Sequence, residues 1–466
     1  MLALESSVRA DLWREFVAAV EATIERPEKL RALTEDDADE VRAFVGRLDF
    51  DAPLEPIAAL RFAVEGLSRY SVNFHNPRYF GLFDPAPATM GVIGDALAAA
   101  FNPQLAAWLA SPFAIEAEAA VLRAFGTRFG FSAEETDGTF TSGGAEANHT
   151  ALLTALARTF PEVRGHGLRA LPAQPVLYLS EEGHPSFVKA VRACGLGEAA
   201  IRWIPVDNTL RLDGERLHAA ITHDRSGGAA PFLIVATAGT TAAGVIDPLA
   251  VVADIAAAED LWLHVDAAWG GGAALVPELR PALAGIERAD SITFDPHKLL
   301  SVSFGVGVYL TRHPDVLDAT FHVSSAYVPG TGALVDPYTH SLQWSRRFTG
   351  LKVLLSLAVA GWEGYASVLR KQVAMGDLLR DRLRASGWQV VNETVLPLVC
   401  FVDAEGGDPD AIVEAVNTSE RARIFTATVP PGRQVIRAAI TNYKTTEDDI
   451  DALITALTDG RTCARS

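Results

Sequence analysis

The spacing of apolar residues predicts a helical segment at the start of the chain. Through residues 1–70 apolar side chains recur every three or four positions, as at Leu12 and Phe16, and Pro27 and Pro53 interrupt the pattern. That period matches one face of an α-helix, and prolines break helices. We therefore expect a small helical N-terminal unit.

From about residue 77 onward, short strand-like runs alternate with Ala-rich helical runs. The predicted strands are 138–141, 176–179, 201–206, 232–236, 261–265 and 291–294, and helices are predicted at 144–159, 186–194 and 248–258. Strands that are apolar on both faces and alternate with helices favour a mostly parallel sheet covered by helices. The fold class is therefore α/β.

The last part of the chain has a different order of elements. A long helical stretch at about 344–386 leads into strand-like 396–402 and 434–440 and a closing helix at 446–458. This pattern predicts a smaller α/β domain. We expect three units: a helical N-terminal segment (1–80), a large domain (81–350) and a small C-terminal domain (351–466).

Composition and charge narrow the classes of ligand. Of the 466 residues, 49% are hydrophobic and 21% charged, which is typical of a globular protein. There are 40 basic and 58 acidic residues, so the net charge is −18. An acidic surface does not attract nucleic acid or an anionic membrane. We expect a small-molecule ligand.

Sparse cysteines argue for a reducing compartment. Cys194, Cys400 and Cys463 show no CxxC spacing, so neither a disulfide framework nor a structural zinc is expected. Charged residues or Pro interrupt the most apolar stretches, 87–115 and 350–369, and the N-terminus lacks the pattern of a signal peptide. We expect a cytoplasmic protein that does not span a membrane.

A glycine pair lies between a predicted strand and a predicted helix. It belongs to the run Thr-Ser-Gly-Gly-Ala-Glu-Ala-Asn at 141–148. Glycines let a ligand approach the backbone closely, and the first N–H groups of a helix bind anions. Phosphate is the expected occupant, although a plain strand-to-helix turn is the alternative.

A second motif ends a buried strand with a carboxylate. In Trp-Leu-His-Val-Asp-Ala-Ala-Trp at 262–269, Asp266 lies where open α/β sheets place their ligands. A buried carboxylate is costly unless a cation or a donor faces it. A helix N-cap is the alternative for Asp266. His264, on the same face of the strand, fits a packed or supporting role better than a ligand role.

The third motif is Asp-Pro-His-Lys at 295–298. Lysine is rarely buried without a partner or a role, and a lysine removed from water suits Schiff-base chemistry. A lysine that extends its ammonium to the surface is the alternative for Lys298. No second and third metal ligand accompanies His297 at a suitable spacing, so no metal is expected. His184 and the Gly-Thr-Thr run at 239–241 also follow predicted strands. Each alone is weak evidence for a ligand site.

In this order the motifs resemble the pyridoxal-phosphate-dependent amino-acid decarboxylases of group II, which include the aromatic amino acid and glutamate decarboxylases. The resemblance extends over about 70–460 and is dense from 232 to 310. It implies a fold type I architecture with a mostly parallel, seven-stranded-type sheet. It also implies pyridoxal 5′-phosphate as cofactor and a homodimer with active sites at the subunit interface.

The resemblance assigns roles to individual residues. It implies that Lys298 binds the cofactor covalently, that Asp266 pairs with its ring nitrogen and that His184 stacks over its ring. A carboxylate beside that nitrogen keeps it protonated, which makes the ring an electron sink. The remaining implied cofactor contacts are Gly144, Ala145, Thr240, Thr241, Ala268 and His297.

The expected substrate contacts are Leu82, Phe83 and Arg437. Arg437 matches an arginine that lies near the substrate carboxylate in related enzymes, although a surface salt bridge is the alternative. Leu82 falls where glutamate decarboxylases have glutamine, and the segment around it is mostly apolar. We expect an apolar or aromatic amino acid, with a diamino acid attracted by Asp84 or an acidic amino acid as alternatives.

Two features depart from the family pattern. Asp295 replaces an asparagine common in the family, and we expect it to turn away from the phosphate or bond a backbone N–H. The irregular stretch 324–340 is the candidate mobile loop, where family decarboxylases carry a proton-donating tyrosine. Both Tyr327 and Tyr338 lie there. Loss of that donor is associated with oxidative deamination to an aldehyde, which stays an alternative, as does an aminotransferase.

Overall fold

The computed structural model describes residues 3–25, 37–324 and 334–465. Within these ranges the strands are β1 (Asp137–Thr141), β2 (Pro175–Ser180), β3 (Ile201–Ile204), β4 (Ala230–Thr237), β5 (Trp262–Asp266), β6 (Ser291–Phe294), β7 (Gly307–Thr311), β8 (Trp388–Val390), β9 (Leu398–Asp403), β10 (Phe425–Val429) and β11 (Arg433–Ala439).

The α-helices of the same ranges are α1 (Ser6–Glu25), α2 (Ala38–Val45), α3 (Pro56–Tyr70), α4 (Thr89–Phe101), α5 (Pro112–Phe129), α6 (Gly144–Thr159), α7 (Val163–His166), α8 (Ser186–Ala193), α9 (Gly214–Ser226), α10 (Leu249–Glu259), α11 (Val316–Phe321), α12 (Gly350–Ala385), α13 (Pro409–Thr418) and α14 (Glu447–Arg465).

The first seven strands form one sheet in the order β1-β7-β6-β5-β4-β2-β3. Only β7 runs antiparallel to its neighbours, β1 and β6, and the remaining pairs are parallel. Strands β2, β5 and β6 are buried along their whole length, because helices cover both faces of the sheet. The predicted mostly parallel α/β fold is confirmed.

The smaller C-terminal sheet is antiparallel. Its four strands follow the order β10-β11-β9-β8, and α13 and α14 pack together beside it around a separate apolar cluster. Helix α12 leads from the large sheet to this one and contains a break at Gly361, whose φ of 61° lies in the left-handed region that glycine tolerates. The helix predicted over 344–386 is present, but it begins six residues later, at Gly350.

The N-terminal segment is helical, as its apolar period predicts. Helices α1, α2 and α3 occupy it, and α1 has no buried residue. The division of the chain at residues 80 and 350 stays a prediction, as does the cytoplasmic location. No helix within the described ranges is long and apolar enough to cross a membrane.

A buried ion pair ties α5 to the start of α12. The carboxylate of Glu118 accepts from Arg346 Nη1 at 2.6 Å and from the backbone N–H of Gly350 at 2.9 Å. Both charged side chains are less than a tenth exposed. Burial raises the pKa of Glu118 despite the attraction of Arg346. Removing one partner leaves the other charge buried in the protein interior without a counter-charge.

We expect Glu118→Ala to lower the free energy of unfolding by about 3–5 kcal/mol, because Arg346 then stays buried without its counter-charge. Chemical unfolding measures the effect. The matched control is Asp451→Ala, which breaks the exposed pair with Arg382 and should cost at most about 1 kcal/mol. Equal losses in the two variants would contradict the prediction.

Candidate active site

The polar groups predicted from sequence meet at one edge of the large sheet. Thr237 and Asp266 stand opposite each other at the carboxyl ends of β4 and β5, and Asp295 directly follows β6. The first residues of α6 complete the wall of a cavity at this edge. Parallel strands place their carboxyl ends together, which explains why distant motifs converge here.

Asp266 is a buried carboxylate whose two oxygens both accept hydrogen bonds. Only 5% of the residue is exposed. The backbone N–H of Ala268 donates to Oδ1 at 3.1 Å, and Asn148 Nδ2 donates to Oδ2 at 2.8 Å. These donors offset the cost of removing the carboxylate from water. Asp266 is therefore not a helix N-cap, because α-helical residues do not follow it.

Close packing at the start of α6 leaves little room for a side chain at Gly144. A Cβ on Gly144 would lie 2.8 Å from Asp295 Oδ2 and 3.3 Å from the Cβ of Ala268. The first N–H groups of a helix have no partner within it, and here those of Gly144 and Ala145 lie at the wall of the cavity. The turn therefore offers an anion site.

Lys298 reaches the same cavity and pairs with an acidic neighbour. Its Nζ lies 3.0 Å from Asp295 Oδ2, and only 22% of its side chain is exposed. His297 Nε2 lies 3.8 Å from that oxygen, while its Nδ1 bonds the carbonyl oxygen of Val306. Burial lowers the pKa of His297.

The expectation for Asp295 was wrong. Its side chain neither turns away from the glycine pair nor bonds a backbone N–H: one oxygen faces Lys298, and the other is buried with no hydrogen-bond partner in the described chain. The attraction of the lysine ammonium explains this orientation, since a buried carboxylate needs a counter-charge.

His184 lies between this cavity and a neighbouring one. It lines both, as does Thr241. The backbone N–H of Ser186 donates to His184 Nδ1 at 3.2 Å, and burial lowers the pKa of the ring even though Asp266 opposes that shift. Thr240 does not line the cavity: it is fully buried, and its hydroxyl accepts from the N–H of Val245.

Arg437 is the cationic group of the neighbouring cavity. It is 2% exposed and donates to the carbonyl oxygens of Thr241 and Gly81, and its guanidinium carbon lies 4.6 Å from the centre of the Phe83 ring. Its Nη2 has no hydrogen-bond partner within the described ranges. Burial lowers the pKa of Arg437 to about 10. Arg437 is therefore not a surface salt bridge.

An acidic group faces the same neighbouring cavity. Glu182 lines it beside Glu181, and its buried Oε2 has no hydrogen-bond partner among the residues described. Burial and the charges of Glu181 and Asp247 raise the pKa of Glu182 to about 7. Leu82, Phe425 and the backbone around them make up much of the remaining wall.

The structure brings together most, but not all, of the predicted residues. Tyr338 does not line either cavity; it is buried, with its ring centre 4.7 Å from that of Trp344. Tyr327 lies outside the described residues. No cluster of potential metal ligands occurs in the described parts of the chain. The predicted residues that line the two cavities are Leu82, Phe83, Gly144, Ala145, His184, Thr241, Asp266, Ala268, Lys298 and Arg437.

Sequence reasoning assigned no role to Asn148, Thr237 and Trp269, which also line the first cavity. Asn148 stands four residues after Gly144, so the helical period places both on one face. Thr237 ends β4 in register with Asp266, and its buried hydroxyl has no hydrogen-bond partner within the described ranges. Trp269 stacks on Phe83 with ring centres 4.2 Å apart, a contact that no spacing rule predicts.

The donor set fits a phosphate-bearing cofactor with a basic ring nitrogen. The start of α6 offers N–H groups for an anion, Asp266 offers a carboxylate for a protonated nitrogen, and Lys298 offers an amine to a carbonyl carbon. The hydroxyl of Thr237, buried and without a partner in the described chain, is a further donor beside this cavity.

Comparison with known proteins agrees with this chemistry. The model of the pyridoxal-dependent decarboxylase conserved domain matches residues 63–403. The chain is 30% identical over 410 residues to an aromatic-L-amino-acid decarboxylase of Bacillus atrophaeus, with 85% of this chain and 83% of that protein covered. It is also 30% identical to the acidic amino acid decarboxylase GADL1 of Bos taurus, over 74% of this chain and 67% of that protein.

The fold has solved counterparts. The crystal structure of mouse CSAD in its apo form superimposes with a TM-score of 0.90 at 25% sequence identity, covering 98% of this chain and 99% of that chain.

Proposed function

The chain belongs to the pyridoxal-dependent decarboxylase family, and from this premise we propose that it converts an L-amino acid with an apolar or aromatic side chain to the corresponding amine and carbon dioxide. It is a carboxy-lyase that uses pyridoxal phosphate. The observation that carries the proposal is the meeting of Lys298, Asp266 and the start of α6 at a single cavity.

When bound, pyridoxal phosphate supplies a conjugated ring that accepts the electrons left on the α-carbon as carbon dioxide departs. Lys298 provides the amine that holds the cofactor, and Asp266 keeps the ring nitrogen protonated. The N–H groups of Gly144 and Ala145 hold the phosphate. These roles follow from the donor and acceptor at each position.

The substrate is held in the neighbouring cavity. Arg437 offers its unpartnered Nη2 to the substrate carboxylate, since a guanidinium and a carboxylate form a charge-assisted hydrogen bond. His184 lies at the boundary of the two cavities, where it orients the reacting groups. Decarboxylation also requires one proton at the α-carbon. Of the two loop tyrosines, Tyr327 stays the predicted donor, since Tyr338 lines neither cavity.

The cavity walls support an apolar substrate and disfavour an acidic one. Leu82 and Phe425 provide apolar contact, whereas the carboxylate of Glu181 would repel an acidic side chain. Glu182 also favours a second candidate, a diamino acid, because its buried oxygen has no partner in the described chain and would attract a distal ammonium group. Asp84 is less suited to that task, since it already accepts from the hydroxyl of Tyr79 at 3.0 Å.

We also propose that the active form is a homodimer. Ile93, Leu97 and Phe101 are exposed and follow one another at four-residue spacing on α4. Leu109 and, in the first turn of α5, Phe113 are exposed as well. Both helices pack on α12. An apolar surface of this kind is typical of a subunit interface.

The proposed interface adjoins the active site. The N–H of Ala88, just before α4, donates to the carbonyl oxygen of Ser301, three residues after Lys298. A Cβ on Gly91 would lie 3.3 Å from the backbone nitrogen of Ser303. Helix α4 therefore joins the apolar surface to the lysine segment, which supports active sites at the interface.

We expect purified protein to be yellow and Lys298→Ala to lose that absorbance and all detectable decarboxylation, because the amine that holds the cofactor is gone. Visible absorbance and carbon dioxide release measure the two effects. Lys371→Ala, which changes an exposed lysine bonded to the carbonyl of Tyr443, is the control and should remain yellow. A colourless wild-type protein that binds no pyridoxal phosphate would refute the proposal.

We expect aromatic and large apolar amino acids to give the highest kcat/KM in a panel that also contains acidic and diamino acids. Acidic substrates should be at least about 100-fold poorer, the equivalent of about 2.8 kcal/mol of charge repulsion. Carbon dioxide, hydrogen peroxide and ammonia are measured in parallel. A preference for diamino acids that Glu182→Gln selectively reduces would favour the second candidate, and peroxide equal to carbon dioxide would instead indicate an aldehyde synthase.

We expect the double substitution Phe101→Asp and Phe113→Asp to convert a dimer to a monomer, because two buried carboxylates would oppose association. Light scattering gives the mass of each form. Val251→Asp places the same charge at an exposed apolar position on α10 and should stay dimeric. A monomeric wild-type protein, or a double variant that remains dimeric, would contradict the proposed interface.

A further inference from the structure

A line of buried polar groups lies beneath Asp266 and has no part in the proposed reaction. His264, two residues earlier in β5, is fully buried, as is Ser291, which stands opposite it on β6. Asn148 on α6 is 1% exposed, and Trp262 at the start of β5 is 6% exposed. Polar groups at this depth are costly unless each finds a hydrogen-bond partner.

At the Trp262 end of this line, the donor and the acceptor can be assigned. The indole nitrogen of Trp262 lies 2.9 Å from Ser291 Oγ, and an indole N–H can only donate. Ser291 therefore accepts from Trp262, and its single hydroxyl hydrogen is left for another acceptor. The Nδ1 atom of His264 lies 2.8 Å from that oxygen, and the hydroxyl of Tyr309 is a second acceptor beside Ser291.

His264 connects Ser291 to Asn148. When Nδ1 accepts, the neutral ring of His264 carries its hydrogen on Nε2. That atom lies 3.2 Å from Asn148 Oδ1 and 3.3 Å from the hydroxyl oxygen of Thr293. The Asn148 amide then has its oxygen toward His264, and its Nδ2 donates to Asp266 Oδ2 at 2.8 Å and to Ser186 Oγ at 3.0 Å.

The same orientation follows from the opposite end. An ionised carboxylate only accepts, so Asn148 must present its amide nitrogen to Asp266 and its amide oxygen to His264. The carboxylate end thus selects the tautomer of His264 that carries its hydrogen on Nε2, and the Ser291 hydroxyl is within reach to donate to Nδ1. Burial lowers the pKa of His264 to about 4, which keeps the ring in the neutral form that this pattern requires at neutral pH.

We propose that His264 is a positioning residue for Asp266, which acts through Asn148 to keep the carboxylate turned toward the ring nitrogen of the bound cofactor. The proposal rests on the proposed function, because it takes Asp266 as the partner of that nitrogen. Asp266 itself fixes which end of the Asn148 amide faces it, and His264 adds the N–H that holds the amide oxygen on the other side. A residue that only filled the space of His264 would leave that oxygen without this donor.

The test compares His264→Leu with His264→Gln in the full-length protein. We expect His264→Leu to weaken pyridoxal phosphate binding to the apoprotein about tenfold, equivalent to about 1.4 kcal/mol, and to shift the pH midpoint of the visible absorbance of the loaded protein. His264→Gln, whose amide can still donate to Asn148, should restore most of both. Neither measurement requires turnover.

The control is Thr154→Val. It removes a fully buried hydroxyl from the same helix as Asn148, one that bonds Tyr309 rather than Asp266. We expect wild-type cofactor affinity and an unchanged absorbance titration in this variant. A matching loss in Thr154→Val would overturn the proposal, as would wild-type affinity and titration in His264→Leu.

If His264→Leu does not fold, Asn148→Ser provides the second test, since it removes the amide donor to Asp266. Wild-type affinity in Asn148→Ser would then overturn the proposal, and a tenfold loss would support it. These outcomes differ from failure of the proposed function, in which the wild-type protein itself would bind no pyridoxal phosphate.

Discussion

The arrangement at the sheet edge depends on keeping a carboxylate out of water. Asp266 is 5% exposed, and a charge at that depth needs donors on each oxygen. The turn after β5 supplies one donor and α6 the other. This requirement fixes how α6 lies against β5, and it thereby fixes where the N–H groups at the start of α6 point. The carboxylate site and the anion site are therefore placed by the same packing.

A second set of buried charges joins the two sheets. Arg437 extends from β11 of the small sheet and donates to the carbonyl oxygens of Thr241 and Gly81. These bonds bring the C-terminal sheet against the loop after β4 and close the neighbouring cavity. Its Nη2 has no hydrogen-bond partner in the described parts of the chain. The same side chain thus joins the two sheets and has a donor without a partner in the described chain.

Close packing also explains which small residues stand at the site. Gly144, Ala268 and Asp295 approach one another so closely that a side chain on Gly144 would displace the carboxylate of Asp295. That carboxylate in turn pairs with Lys298. The lysine and the anion site are thereby linked through Asp295, a contact between β6 and α6 that neither motif contains alone.

The sequence by itself determined the fold class and the identity of the chemical groups. Apolar strands alternating with helices required a covered parallel sheet, and the glycine pair, Asp266 and Lys298 each followed a strand, which placed them at one edge. Local spacing could not determine orientation. Thr240 and Thr241 are adjacent, yet only Thr241 lines the cavity, because the hydroxyl of Thr240 is held by Val245.

Only the tertiary structure decided the contacts between distant segments. The sequence predicted that Asp295 would turn away from the phosphate or bond a backbone N–H, but its Oδ2 pairs with Lys298. The sequence predicted only that His264 is a packed or supporting residue. The structure shows that its two ring nitrogens lie within hydrogen-bond distance of Ser291 and Asn148. A periodic pattern specifies which face a residue occupies, whereas the partner of a buried polar group depends on side chains from other elements that packing brings within bonding distance.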